Sequence, residues 1–308
     1  MENYLVALGV SAGIYALMAL GLNVIWGMAG MVNLGLVGFF AVGAYTSALL
    51  TTKLGLPIAA GMLAGTIAGG AAGMLVALVT RRMRGDYLAI VTLGFAEALR
   101  ITADNETWLT NGSDGISGIP GPWRGTLTPN QFNLAYLALV IVIVLAAYGL
   151  MQRISHSPFG RVLRAIRDDD QVAAVAGKPV LAFKVLAFGI GCAAIGLAGA
   201  LYAHYTSFIV PDIFVPLLTL YIKMALLSGG VGNNKGAVLG GIVVIAFLEG
   251  TRFLTPLLPW LSPVQGAALQ QFLVTAVLLA ILSYRTKGLI PETLDHPVLR
   301  PQKELPHG

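Results

Sequence analysis

The sequence predicts an all-α fold, a polytopic bundle of transmembrane helices with about nine spans. Three observations predict it. First, of 308 residues 56% are hydrophobic and only 11% charged, where a soluble domain carries about 25% charged residues. A soluble fold must present a polar exterior, and lipid removes that requirement; the mean hydropathy of +0.80 agrees. Second, the apolar residues fall in runs of about 20, the length at which a helix crosses the hydrocarbon core. Third, the Lys and Arg residues collect in short loops that nine spans bring to one face.

The first run, 5–27, follows Met1-Glu2-Asn3-Tyr4, which lacks a basic leader segment, so it reads as a span. The second, 33–52, is glycine-rich, and a tilted or re-entrant segment is the alternative there. The third, 57–80, carries Gly61, Gly65, Gly69 and Gly73 at four-residue spacing. That spacing puts a smooth groove on one helix face, where a helix of the same chain or of a second subunit packs backbone to backbone. The fourth, 86–103, holds Glu97 and Arg100, and the polar connection 104–132 follows it. The fifth and sixth are 133–151 and 184–206; the sixth contains the single cysteine, Cys192, and places His204 at its outer end, in an interfacial position. The seventh, 214–229, carries Lys223 between Pro216 and Gly229-Gly230 and, like the fourth, could be short or broken. The eighth and ninth are 236–256 and 265–283. Residues 1–290 form the transmembrane domain, and the Pro- and charge-rich 291–308 reads as a cytosolic tail.

Nine spans place Arg81, Arg82 and Arg84, the basic 152–183 loop, and Arg285 with Lys287 on one side, which the positive-inside rule assigns to the cytoplasm. The N-terminus is then outside and the C-terminus inside. The net charge of +5 is therefore topological and does not mark a nucleic-acid binder. Enzyme signatures are absent. No glycine loop ends in Lys-Ser/Thr to hold ATP. Of the four histidines, His156, His204, His296 and His307, none has a second ligand at metal spacing, so no metal or other cofactor is expected. One cysteine makes no internal disulfide.

The 152–183 loop is the longest polar segment with a structural pattern. Pro158 suits a first helical turn. Val162, Leu163, Ile166 and Val172 are grouped as one apolar face, with Arg161, Arg164 and Arg167 on another. Asp168, Asp169 and Asp170 suit the start of a second short helix, which Gly177 closes and Pro179 ends. Two readings stand side by side: a protruding knob of two helices for a partner, or a solvated charged loop. Within the spans, Glu97 and Arg100 are three apart and can pair. They are either a self-neutralised structural pair or part of a translocation path, to which Asn23 and Lys223 are also assigned. In a secondary transporter driven by an ion gradient, Glu97 and Lys223 would instead form an ion relay. Such transporters often carry inverted repeats, and no internal repeat stands out here. A membrane enzyme would need a clustered catalytic set, which is missing.

Gly85-Asp86-Tyr87-Leu88-Ala89-Ile90-Val91-Thr92-Leu93-Gly94-Phe95, continuing through Glu97 and Arg100 to Thr110-Asn111-Gly112-Ser113-Asp114-Gly115-Ile116, resembles branched-chain amino-acid ABC permeases of the LivM type. Ala19-Leu20-Gly21-Leu22-Asn23, Ser157-Pro158-Phe159-Gly160-Arg161 and Gly199-Ala200-Leu201-Tyr202-Ala203 are similar to the same family, so the likeness covers nearly the whole chain. The chain departs from the family pattern at Asn111, Ser113 and Asp114, and Lys223 stands where an apolar residue is usual. The resemblance implies an importer subunit for branched-chain or related amino acids. It also implies a second homologous permease, two cytosolic ABC ATPases, an extracytoplasmic solute-binding protein and a bacterial-type inner membrane. It further implies that the 152–183 loop carries coupling helices, with Gly160, Arg161, Arg164, Arg167, Asp168, Ala173 and Gly177 at the ATPase contact; of the general importer pattern there, Ala173 and Gly177 match.

Overall fold

A computed structural model describes residues 2–83, 85–252, 263–284 and 288–292. Among the described residues each of the nine apolar runs is largely helical; the end of the eighth, 253–256, lies outside them. In chain order the helices are α1 (Glu2–Leu22), α2 (Leu36–Thr52), α3 (Ile58–Val79), α4 (Asp86–Asn105), α5 (Thr107–Thr110), α6 (Pro129–His156), α7 (Pro158–Asp168), α8 (Asp170–Val175), α9 (Val180–Thr206), α10 (Pro216–Gly229), α11 (Asn234–Arg252) and α12 (Pro263–Tyr284). Among the described residues, five helical stretches are long and apolar enough to cross a membrane by length and composition: Tyr4–Met28, Ile58–Val79, Pro129–His156, Val180–Thr206 and Pro211–Gly229. The second run is a continuous 17-residue helix, and no re-entrant turn interrupts it. The seventh run is short and unbroken: α10 is a continuous 14-residue helix that starts at Pro216, and a 3₁₀ turn at Pro211–Ile213 precedes it. A 14-residue helix spans about 21 Å, short of the roughly 30 Å hydrocarbon core, and the preceding turn supplies the remaining reach.

The centre of the bundle is α9. Phe188, Cys192, Ile195, Leu201 and His204 on it are fully buried. It packs against α1, α2 and α3, and small residues let it do so. An added Cβ at Gly65 would lie 2.6 Å from the Gly43 carbonyl oxygen, one at Gly69 would lie 2.9 Å from the Cys192 carbonyl, and one at Gly73 would lie 2.5 Å from the Cys192 side chain. Gly61 meets Ser47 and Thr51 of α2 in the same way. The α3 groove is therefore filled by α2 and α9 of the same chain. In lipid there is no hydrophobic drive between helices, so close backbone approach of this kind supplies the packing. Aromatic side chains fill the wider gaps: Phe39 on Phe188 at 5.8 Å, and Phe40 on Tyr202 at 5.6 Å and on Phe214 at 5.7 Å.

His204 departs from the expected interfacial position. It is fully buried, with Nε2 at 2.8 Å from Ser47 Oγ and Nδ1 at 2.6 Å from the Pro120 carbonyl. A buried imidazole keeps both nitrogens satisfied, and here they tie α9 to α2 and to the 111–125 loop. The same end of the bundle holds a two-residue ladder, Ile116–Ser117 (β1) antiparallel to Phe208–Ile209 (β2). The turn into it takes left-handed backbone at Asn111 (φ 67°) and Gly115 (φ 70°). A Cβ at Gly115 would meet the Ile209 carbonyl at 2.2 Å, so this residue type is required there.

Candidate functional site

The opposite end of the bundle carries the 152–183 segment. Helix α6 runs on to His156, Pro158 occupies the first turn of α7, and Ser157 Oγ accepts from the Gly160 N–H at 3.3 Å. Gly160 packs tightly on the end of α6: a Cβ there would lie 2.4 Å from the Ile154 carbonyl oxygen. Helix α7 ends at Asp169, whose extended backbone (φ −156°, ψ 112°) breaks the register, and whose side chain caps α8 by accepting from Gln171 N and Val172 N. Lys184 at the start of α9 pairs with Asp170 at 3.0 Å. Gly177, at φ +76°, closes the turn after α8.

The break at Asp169 redistributes the expected faces. Leu163 and Ile166 are buried against the bundle, but Val172 lies on the new helix and is 65% exposed, beside Val175 at 90%. Ala173 is buried beneath them. The grouping of Val172 with the α7 apolar face is thus corrected. The arginines separate too, because three-residue steps on an α-helix drift by about 60° each, which puts the first and third about 120° apart. Arg161 is exposed and donates to the His156 carbonyl at 3.2 Å. Arg164 donates to the Ser155 carbonyl at 3.1 Å. Arg167 turns inward and donates from Nη1 to the Gly27 carbonyl at 2.5 Å and to Glu292 at 2.9 Å. Asp168 stays exposed, 3.5 Å from Arg167 Nε. Between α7–α8 and the ends of α3, α4 and α9 lies a cavity of about 570 Å³ lined by charges of both signs, Arg81, Arg167, Asp168, Asp169, Asp170 and Lys184 among them.

Asn23 opens a π-helical stretch, Asn23–Met28, that extends α1. It is fully buried; its Nδ2 donates to Asn234 Oδ1 at 2.9 Å and its Oδ1 accepts from Gly232 N at 2.9 Å. Asn234 in turn donates to Gln152 Oε1 at 3.0 Å. One amide thus ties α1 to the α10–α11 turn, with α6 attached through the second. Asn23→Ala is expected to leave the part-buried Gly232 N–H and the buried Asn234 Oδ1 without this partner, costing roughly 1–3 kcal/mol. Thermal unfolding of the detergent-solubilised subunit reads this as a lowered midpoint. Lys223 lies over the Trp26 ring, 5.2 Å from its centroid, a cation–π contact that offsets its charge within the span.

Near the other end, Arg100 and Glu97 form the pair that their spacing suggests, at 2.5 Å, with Asp212 3.7 Å from Arg100. They are 24% and 36% exposed on α4, beside a bare strip that includes Gly94, whose Cβ position has open space around it. The structure keeps these two charges apart from Asn23 and Lys223, which are held within the α1–α10–α11 packing. The small ladder, the Asn23–Asn234 bond and the Arg167–Glu292 pair escaped the sequence reading because each joins residues far apart in the chain and none has a local pattern.

The family described as branched-chain amino acid transport system / permease component matches residues 4–282. The chain is 32% identical to the high-affinity branched-chain amino acid transport system permease protein LivM of Escherichia coli K12, over 96% of this chain and 70% of that protein. It is 28% identical to a probable branched-chain amino acid transport permease protein LivM of Methanocaldococcus jannaschii, over 94% and 93%. It is 29% identical to the permease protein LivH of Escherichia coli K12, over 77% and 81%. No solved structure matches.

Proposed function

The chain belongs to the branched-chain amino acid transport permease family, and on that premise we propose that it is the half-channel of an ABC importer for branched-chain or related amino acids. It pairs with a second homologous permease, two cytosolic ATPases and an extracytoplasmic binding protein. Covalent chemistry is left to the ATPases. This chain contributes a conformational equilibrium that differential contacts bias. The observation that carries this reading is the α7–α8 pair, which presents Val172 and Val175 to solvent on a two-helix projection braced by Ser155, Asp170 and Lys184. An exposed apolar knob rimmed by charge suits a groove on a soluble partner.

The same reading places the α7–α8 end in the cytoplasm, with the N-terminus outside and the C-terminus inside. The contacts among 27–30, 152–175, 229–234 and 288–292 support one common side for these segments. The second permease is proposed to cover the α4 strip: an ion pair part-exposed at membrane depth is costly against lipid, and a subunit interface or wet path relieves that cost. Glu97 and Arg100 accordingly line the path in this reading, whereas Asn23 and Lys223 brace the helix ends. Residues 293–308 lie outside the described residues. Pro291 and Glu292, placed with the tail on composition, pack against the bundle.

The test is co-purification from membranes followed by reconstitution. Recovery of a stoichiometric ATPase, with uptake that requires ATP and a solute-loaded binding protein, is the expected result. Uptake by the purified chain alone under an ion gradient would overturn it in favour of a secondary transporter.

A further inference from the structure

At the α7–α8 end, the Arg167 side chain joins α7 to two segments distant in the chain, the 27–30 turn and Glu292. Arg167 on α7 donates to the free Gly27 carbonyl of the π-helical turn and to Glu292, its partner 125 residues away. Glu292 belongs to a strap, 288–292, that is bonded to the α10–α11 turn by Leu289 N to Ser228 O and Ile290 N to Gly229 O, both at 2.8 Å. Asn233 Nδ2 closes the strap by donating to the Pro291 carbonyl at 3.0 Å. The turn itself is bonded to Asn23 of α1 through Gly232 N. The backbone is fitted closely around this point: a Cβ on Gly232 would lie 2.6 Å from the Glu292 carboxylate, and one on Gly30 would lie 3.0 Å from Arg167 Cγ. Both glycines also hold positive φ, +84° and +69°.

We propose that the Arg167–Glu292 pair, seated on the Gly27 carbonyl, is the transmission joint of the subunit. It ties movement of the coupling helix α7 to the inner ends of α1, α10 and α11 through the C-terminal strap. The chemistry supports this role. Arg167 and Glu292 are 20% and 19% exposed, so separating them leaves two poorly hydrated charges, a large penalty that makes the joint move as a unit. One guanidinium nitrogen, Nη1, serves both acceptors, and the rigid plane of the group holds its N–H bonds in fixed directions, whereas an ammonium on a flexible stem is not pre-organised in this way. The Gly27 carbonyl, in the last turn of the π-helical stretch, is the natural third partner, because the final carbonyls of a helix have no intrahelical donor. Arg167 and Glu292 act as positioning residues, since neither needs to touch solute.

This inference rests on the importer reading, and its test separates the two. The co-purified complex is reconstituted in vesicles, and leucine uptake and ATP hydrolysis are measured together. An inactive wild-type complex would fail the importer reading; the joint is tested by the variants against an active one. Glu292→Gln is expected to lower uptake per ATP hydrolysed by roughly fivefold or more, the scale of a typical coupling energy. Glu292→Asp, which keeps the charge, recovers most of the ratio. An unchanged ratio in Glu292→Gln overturns the joint, as does equal loss of assembly in Glu292→Gln and Glu292→Asp, which would mark a structural prop. If Gln alone prevents assembly, Arg167→Lys is read by the same ratio: a fall supports the joint and wild-type coupling overturns it.

Discussion

Val175→Glu is expected to release the ATPase while leaving the subunit folded. Val175 is the most exposed apolar side chain of the α7–α8 projection, at 90%, with Val172 beside it at 65%. A side chain so exposed contributes almost nothing to the fold, and surface substitutions of this kind usually stay within about 0.5 kcal/mol of neutral. At a protein interface the same position becomes a candidate anchor. Burying a carboxylate in an apolar groove is costly, and loss of a central contact costs about 2 kcal/mol or more, roughly thirtyfold in affinity. The measurement is the ATPase recovered per mole of subunit after detergent extraction, with the thermal midpoint of the subunit as control. A fall in both would place Val175 in the fold, and no change in either would remove α8 from the docking surface. Arg164→Glu makes a useful contrast. Its guanidinium already serves the Ser155 carbonyl and hydroxyl, so that variant is expected to loosen the α6–α7 corner as well as binding.

Gly65→Leu is expected to abolish the folded subunit. Its added Cβ meets the Gly43 carbonyl at 2.6 Å and the Ala200 Cβ at 3.4 Å, at the point where α2, α3 and α9 cross. Backbone cannot move aside as a side chain tip can, so the helices must separate. Overpacking typically costs about 1–3 kcal/mol and sits at the upper end where backbone is the obstacle, and membrane helices lose their main association term when small-residue contacts open. Gly94→Leu, with open space around its Cβ position, is the control. It should leave the isolated subunit intact and, given the proposed second permease on α4, lower recovery of the paired complex. Monodisperse elution of the tagged variants on size exclusion distinguishes these outcomes. A normal profile for Gly65→Leu would contradict the packing described here.

The comparison between sequence and structure turns on the range of each interaction. The nine apolar runs, the Glu97–Arg100 pair and the short helices at Pro158 and after Asp169 were legible because each depends on neighbours within one or two turns. Hydrophobic length, i,i+3 spacing, N-terminal proline and capping aspartate are local quantities. The expected faces of α7 and α8 change at two places: the extended backbone at Asp169 restarts the helical phase and carries Val172 to a new side, and the three-residue steps of the arginines turn Arg167 inward. His204 was misplaced for a related reason. Position along a span suggests the interface, but the 111–125 loop folds back over it and brings the Pro120 carbonyl to its ring.

By itself, the sequence determined a helical membrane protein and marked where two short helices could start in the 152–183 loop, because apolar length and helix-start chemistry act within a few residues. Only the tertiary structure decided which partner fills the α3 groove, that Asn23 reaches Asn234 across 211 positions, and that Arg167 faces Gly27 and Glu292 instead of the solvent. Those choices depend on how whole helices are rotated and docked, and on backbone groups that carry no side-chain signal. A string of residue types does not encode them at any fixed spacing.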